Sequence, residues 1–311
     1  MDLYHQIRRN RSGTIVLIGF FIVLFIMLGL GIDFFYGAGP RMPLFTVLAL
    51  GIALVASYSG YAYGDRMVLS STHAREPDCS SEKELQWRNV VEEMSIAAGI
   101  PSPAVYVIDD QDPNAFATGR DPAHASIAAT KGLLEVLSRE ELQAVAAHEI
   151  SHIKNFDTRL MLLVTVLVGS IALIADWAGR MLFFGRSGRG RKNEGGSGAL
   201  MVLALWIVAL LLSTVVSQLI AMCVSRKREY LADASGAELT RNPLALAAAL
   251  EKIGAAVGPT RSISQGTAHL CIEDPRGRAL NGRDGWFADL FATHPPIAKR
   301  VEILKQMAYV S

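Results

Sequence analysis

The chain has 311 residues, of which 51% are hydrophobic and 19% charged, with a formal net charge of +1. That is too apolar and too lightly charged for an ordinary soluble protein, and without a strong basic field nucleic acid is excluded as a partner. The three cysteines, Cys79, Cys223 and Cys271, make no disulfide framework and show no C-x-x-C zinc spacing, so they read as reduced thiols in a reducing compartment.

The apolar excess is concentrated in runs. Residues 13–32 are 20 uncharged residues, enough to cross a hydrocarbon core as a helix. Arg8, Arg9 and Arg11 precede them and Gly37-Ala38-Gly39 follows, as in a signal peptide. The run is too long for one, however, and a second uncharged run, 42–64, begins about ten residues later. A retained anchor is therefore expected, and segment 1–64 is read as an N-terminal cytoplasmic stretch plus a transmembrane hairpin.

Segment 65–159 is polar. Ser81 opens a helix carrying Leu85, Val90, Val91, Met94 and Ala97, which Gly99 and Pro101 end. Ala104-Val105-Tyr106-Val107-Ile108 reads as a short buried strand, and 114–119 and 124–130 as two more around a turn at 119–122. Ser138 with Glu141 three residues on is a helix-start signature, and no proline or glycine follows before Gly169.

On that helix lies His148-Glu149-Ile150-Ser151-His152. Histidines at i and i+4 share one helical face, one turn apart. They can offer nitrogens to one tetrahedral zinc, while the glutamate beside the first acts as general base on a metal-bound water. The bland alternative is two histidines on an ordinary amphipathic helix.

Segment 160–224 is read as a second membrane hairpin. Its first run, 160–175, is the weakest and is interrupted by Asp176; its last, 199–224, is the longest. Between them, 186–198 (RSGRGRKNEGGSG) has a flexible-loop composition. Segment 225–311 returns to polar, helical character: Asn242-Pro243 is a cap and first-turn pair, and Pro295-Pro296 precede a last helix through Ile297, Val301 and Leu304. The N-terminal arginines place the start of the chain in the cytoplasm. For the second hairpin the basic residues of its loop and of its flanks balance, and the charge rule decides nothing.

Two histidines leave a zinc short of one protein ligand and a water. Arg228-Glu229-Tyr230-Leu231-Ala232-Asp233 offers two carboxylates at i, i+4 spacing. Glu229 can complete the ligand set and Asp233 can accept the distal N–H of a ligand histidine. A solvated acidic pair beside a basic cluster is the competing reading of that spacing.

HEISH, a membrane hairpin and then REYLAD, in that order, resemble the HtpX-like membrane metalloproteases, relatives of the CAAX prenyl endopeptidases. PNAFATG (113–119), ASIAATKGLL (125–134) and THPPIAKR (293–300) extend the resemblance over nearly the whole chain. It implies an α+β, predominantly helical, zincin-like integral membrane metallopeptidase with two transmembrane hairpins and a small sheet beside the HExxH helix. It implies one zinc per chain on His148, His152 and Glu229, with Glu149 as base and Asp233 behind the ligands.

The resemblance further implies that Asn114, Ala115, Phe116 and Ala117 form the edge on which an extended substrate aligns. His294 and Arg300 match the tail motif, near the metal, as a transition-state donor, a regulator or, for His294, a structural hydrogen bond. Asn155 and Asp157 are read as helix-end contacts at the membrane surface, and His5, His73, His124 and His269 as surface or structural residues. If His148 and Glu229 meet at one ion, residues 159 and 225 lie on the same side of the membrane, and the site faces the cytoplasm. The implied activity is cleavage of misfolded or damaged membrane proteins at a bacterial inner membrane, with self-cleavage. A prenyl-protein endopeptidase and a catalytically silent zinc-containing scaffold are the rivals.

Overall fold

The computed structural model describes residues 3–35, 43–165, 226–256, 270–272 and 295–310. The second hairpin and its loop fall almost wholly outside the described residues, as do His294 and Cys223. The chain divides into two compact units: 1–11 with 63–162 and 220–311, and 12–62 with 163–219.

The second of these contains residues 12–35 of α1 (Leu3–Phe35), 44–62 of α2 (Leu44–Ser71) and 163–165, while 3–11 of α1 and 63–71 of α2 belong to the first. Asp33 near the end of α1 caps the start of α2, accepting from the Phe45 and Thr46 amides at 3.0 and 2.9 Å and from the Thr46 hydroxyl at 2.6 Å. The first-turn N–H groups that a helix leaves unpaired are thereby satisfied across the hairpin. Gly29 lets the two helices touch, since a Cβ there would fall 2.4 Å from Thr46 Cα. Among the described residues, Leu44–Ser71 is long and apolar enough to cross a membrane, and 12–27 of α1 is a shorter apolar stretch.

The other unit is mostly helical with one small mixed sheet. Its elements are α3 (Glu82–Ala98), β1 (Ala104–Ile108), β2 (Ala115–Gly119), β3 (Ala125–Thr130), α4 (Lys131–Val136), α5 (Arg139–Lys154), α6 (Arg226–Thr240), α7 (Pro243–Ala255) and α8 (Ile297–Val310). The strand order is β1-β3-β2, with β1 parallel and β2 antiparallel to β3. The strands and the helices α3, α5, α7 and α8 fall where the sequence pattern put them, whereas α4, at Lys131–Val136 directly after β3, was not expected. Burial differs in detail: β1 buries Val107 and Ile108 but exposes Ala104, and Trp87 is a fully buried residue of α3.

The main core joins Trp87, Val90 and Val91 of α3 to Leu142 and Val145 of α5, Leu246 and Leu250 of α7 and Leu304 of α8. Helix α5 runs through its centre, with Ala144, Val145, Ala146, Ala147, His148 and Ile150 all fully buried. A helix buried on every side is fixed in position by its neighbours, which is what a site built on it requires.

Candidate metal centre

The start of α5 is set by a capping box. Ser138 Oγ accepts from the Glu141 amide at 3.3 Å, and Glu141 Oε2 accepts from the Ser138 amide at 2.7 Å. Such a cap contributes about 1 kcal/mol. Lys252 of α7 pairs with the same Glu141 oxygen at 2.7 Å, tying the helix start to the core.

Three turns on, His148 and His152 stand on one face with their Nε2 atoms 3.2 Å apart. Glu229 of α6 faces them, Oε2 3.7 Å from His148 Nε2 and Oε1 3.6 Å from His152 Nε2. A tetrahedral zinc with bonds of about 2.0–2.2 Å holds ligand atoms about 3.3–3.6 Å apart. The two Glu229 distances run to different oxygens. With one atom per residue the three groups lie within 4.8 Å of one another, so a small adjustment of the Glu229 side chain brings them onto one ion. The residues present therefore fit the metal that the motif calls for. Helix α6 reaches α5 this closely because residue 236 is glycine; a Cβ there would lie 3.1 Å from the His148 amide nitrogen.

Behind each histidine is a carboxylate. His148 Nδ1 lies 3.0 Å from Asp233 Oδ1, and His152 Nδ1 lies 3.0 Å from Asp157 Oδ2. The hydrogen bond between His152 Nδ1 and Asp157 leaves Nε2 of that ring to carry the lone pair directed at the metal. The close approach of Asp233 to His148 Nδ1 favours the same tautomer there. The Asp233 contact was expected from its spacing; the role of Asp157 was not. On a continuous helix Asp157 would point about 140° away from His152. Instead α5 ends at Asn155, Phe156 takes φ +59°, and a new helix starts at 157. The turn brings Asp157 back under the ring, which corrects its reading as a helix-end contact at a membrane surface.

Arg300 of α8 is buried to 1% exposure. Its Nε and one terminal nitrogen grip Asp233 at 2.8 and 2.7 Å, the other terminal nitrogen donates to the Ile272 carbonyl at 3.1 Å, and that nitrogen lies 3.5 Å from Glu229 Oε2. Arg300 therefore sits behind the ligands and orients two acids. Burial pushes the Asp233 carboxyl up, but Arg300 and His148 outweigh it and hold the group below the usual carboxylate range. Burial works against a charged His152, yet Asp157, Glu229 and Glu149 together raise it to about 9 in the metal-free site.

Glu149 is 2% exposed, and burial raises its carboxyl above the ordinary glutamate value, with His148 and His152 opposing. The backbone of Ala117 in β2 also opposes this rise. Glu149 thus shares a small cavity with His148, His152, Glu229, Ala117 and Cys271.

Strand β2 lies at the edge of the sheet, beside the metal site as the sequence implied. Its outer edge is partly occupied. Phe116 bridges Cys271 in antiparallel fashion, and the Ile272 amide donates to the Ala115 carbonyl at 2.9 Å. Asn114 is fully buried and its side-chain oxygen accepts from the Ala115 amide at 3.0 Å. The pairing of 270–272 with β2 had no signal in the sequence. His124, expected to be structural, bonds Asp121 at 2.8 Å on the surface.

The model of peptidase family M48 matches residues 81–308, well over half of the chain. A protein of Thermoanaerobacter pseudethanolicus named Protease HtpX homolog is 41% identical over 288 residues, 92% of this chain and 93% of that one. Proteins of the same name are 36% identical over 305 residues in Limosilactobacillus fermentum and 40% over 308 residues in Streptococcus pyogenes serotype M6. Both alignments cover 98% of this chain and all of the relative. The crystal structure of S. mikatae Ste24p superposes with a TM-score of 0.51 at 18% identity over 92% of this chain, which spans 62% of that structure, and so shares the fold. A match of this extent, over a chain whose two histidines and glutamate form a group able to hold a metal ion, makes the protein a metalloprotease and a member of peptidase family M48.

Proposed function

We propose that the chain is a membrane-embedded zinc endopeptidase that cleaves misfolded or damaged membrane proteins on the cytosolic face of a bacterial inner membrane. His148, His152 and Glu229 would hold one zinc. The observation that carries this is the convergence of their three ligand atoms, all within 4.8 Å of one another, with the Glu149 carboxylate in the same cavity. A purely structural zinc site has no use for that extra acid and closes its fourth position.

When bound, zinc lowers the pKa of a coordinated water towards about 7 and polarises the scissile carbonyl. The rest falls to the chain. Glu149 takes the water's proton on its carboxylate and passes it to the leaving amine nitrogen. Asp233 and Asp157 keep the two imidazoles in the tautomer that ligates. The cavity walls limit competing solvent around Glu149, whose raised affinity for a proton suits a base that must later act as an acid.

The substrate strand would pair with β2. In an antiparallel edge strand alternate residues point outward, and the Ala115–Ile272 bond on one side with the Asn114–Thr130 bond on the other identify 115, 117 and 119 as the outward residues here. Because 270–272 already pairs at 115, a substrate would register on the 117–119 end, beside the metal, or displace that segment. Backbone recognition of this kind tolerates varied sequence, as quality control demands. An N-methyl scan of a peptide substrate is expected to reveal one or two amides whose methylation lowers kcat/KM at least tenfold. A scan with no sensitive amide would refute the edge-pairing model.

The outer faces of α1 and α2 fit a lipid environment: Ile15, Val16, Val55 and Tyr58 are 66–71% exposed, a surface disfavoured in water. On this reading 1–64 and 160–224 are membrane hairpins and 65–159 and 225–311 lie in the cytosol. The deciding experiment uses detergent-purified protein, stripped with a chelator and reloaded with zinc, acting on an unfolded model protein. Wild type should cleave. Glu149→Gln should keep one zinc and lose about 10²–10⁴-fold or more in rate, and Glu229→Ala should lose the zinc as well. Tight stoichiometric zinc in Glu229→Ala would remove Glu229 from the ligand set, and zinc-loaded wild type without cleavage would favour the silent scaffold.

A further inference from the structure

We infer that Asn10, on the first helix, is a positioning residue of the metal centre: through Asp157 it holds His152 in the orientation that presents Nε2 to the metal. The inference rests on the zinc site proposed above.

Asp157 is 1% exposed and uses both carboxylate oxygens. Oδ2 faces His152 Nδ1 at 3.0 Å, while Oδ1 accepts from Asn10 Nδ2 at 2.6 Å. The same amide nitrogen donates to the Asn155 carbonyl at 2.9 Å. Both partners are acceptors, so an oxygen in that place would meet two others, and the orientation of the amide is determined. Asn10 is itself 2% exposed, where a polar side chain is costly unless bonded.

The bonds clamp both sides of the turn at Phe156, whose left-handed conformation aims Asp157 at the histidine. They link residue 10, just before the first apolar run, to a metal ligand 142 positions away (152 − 10). Without Asn10, Oδ1 would lose its short neutral donor. Arg228 NH1, 3.7 Å from that oxygen, is then the nearest cation able to draw the carboxylate round and away from His152. The N-terminal helix is on this account a working part of the active site as well as an anchor.

The test measures zinc release to a chromophoric chelator from zinc-loaded, detergent-solubilised full-length protein. Asp157→Asn should release zinc about 10–100-fold faster than wild type, and Asn10→Ala and the near-isosteric Asn10→Asp about 3–10-fold faster. The Asn10→Ala, Asp157→Asn double variant should be no faster than Asp157→Asn alone, because the two act in series. Melting temperatures with and without zinc give a second readout. A coupled Asn10 shrinks the stabilisation that zinc adds, whereas a purely structural one lowers both forms equally. Asn10 variants that hold zinc like wild type, effects that add fully in the double variant, or an unchanged zinc increment would each overturn the inference while leaving the ligand set intact. A wild type that takes up no zinc would overturn both.

Discussion

Two arginine–carboxylate pairs of nearly identical geometry lie in very different places. Arg300 grips Asp233 with bonds of 2.8 and 2.7 Å and is fully buried at the metal centre. Arg75 grips Glu84 with bonds of 2.8 and 2.7 Å, but its side chain is 35% exposed, and it also reaches Asp109 on the surface. The outer pair joins the turn after α2 to α3, and there only the Glu84 carboxylate is buried while the guanidinium keeps part of its contact with water. The inner pair removes a guanidinium and two acids from water, which apolar residues of the same shape would do more favourably. Charge is kept in that core because it orients Asp233 behind His148 and lies against Glu229. Equal bond lengths therefore carry different meaning according to burial.

The comparison is sharpest when each arginine is removed. Arg300→Met should leave Asp233 and Glu229 as uncompensated buried acids and cost about 3–5 kcal/mol in metal-free unfolding. Arg300→Lys should recover little of this, since a point charge cannot fork across both Asp233 oxygens. Wild-type stability in Arg300→Met, measured by urea titration, would mean that the network adjusts or admits water. Arg75→Met should cost less, about 1 kcal/mol, because water already reaches the Arg75 side of the pair and the Asp78 amide still donates to the buried Glu84 at 2.7 Å; a cost as large as that of Arg300→Met would erase the distinction drawn here.

The smallest effect is a pH dependence of the outer pair. Hydrogen bonding to Arg75 outweighs burial and holds the Glu84 carboxyl below its ordinary value. A depressed folded pKa gives stability that is fully present above the unfolded value of about 4.3 and is lost as pH falls through the folded one. The gap between wild type and Arg75→Met should therefore narrow as the pH is lowered below about 4. A gap that held or widened in acid would show that Arg75 acts by packing.

Much of this architecture was legible in the chain because its signals are local. Ser138 with Glu141, Asn242 before Pro243 and Pro295-Pro296 mark helix starts through short-range hydrogen bonding and steric exclusion, and each helix begins there. The pairs His148–His152 and Glu229–Asp233 were legible because i, i+4 spacing is a property of any helix, and the resemblance to the HtpX-like proteases singled out the acidic pair. Asp157, Gly236, Asn10 and the strand-like 270–272 were not found. Asp157 depends on a helix break at Phe156, a residue with no glycine or proline signal, and Gly236 on how near α6 comes to α5.

What the sequence alone determined, then, is the helical spacing of the candidate metal-binding residues and the apolar runs, since periodicity and composition act over a few residues at a time. Tertiary structure decided which acid stands behind which histidine, which edge of β2 is occupied, and that a residue of the first helix reaches the metal site. Those contacts join positions as far apart in sequence as Ala115 and Ile272, 157 residues (272 − 115). Side-chain packing and backbone turns set such distances only once the core has formed, and no local pattern encodes them.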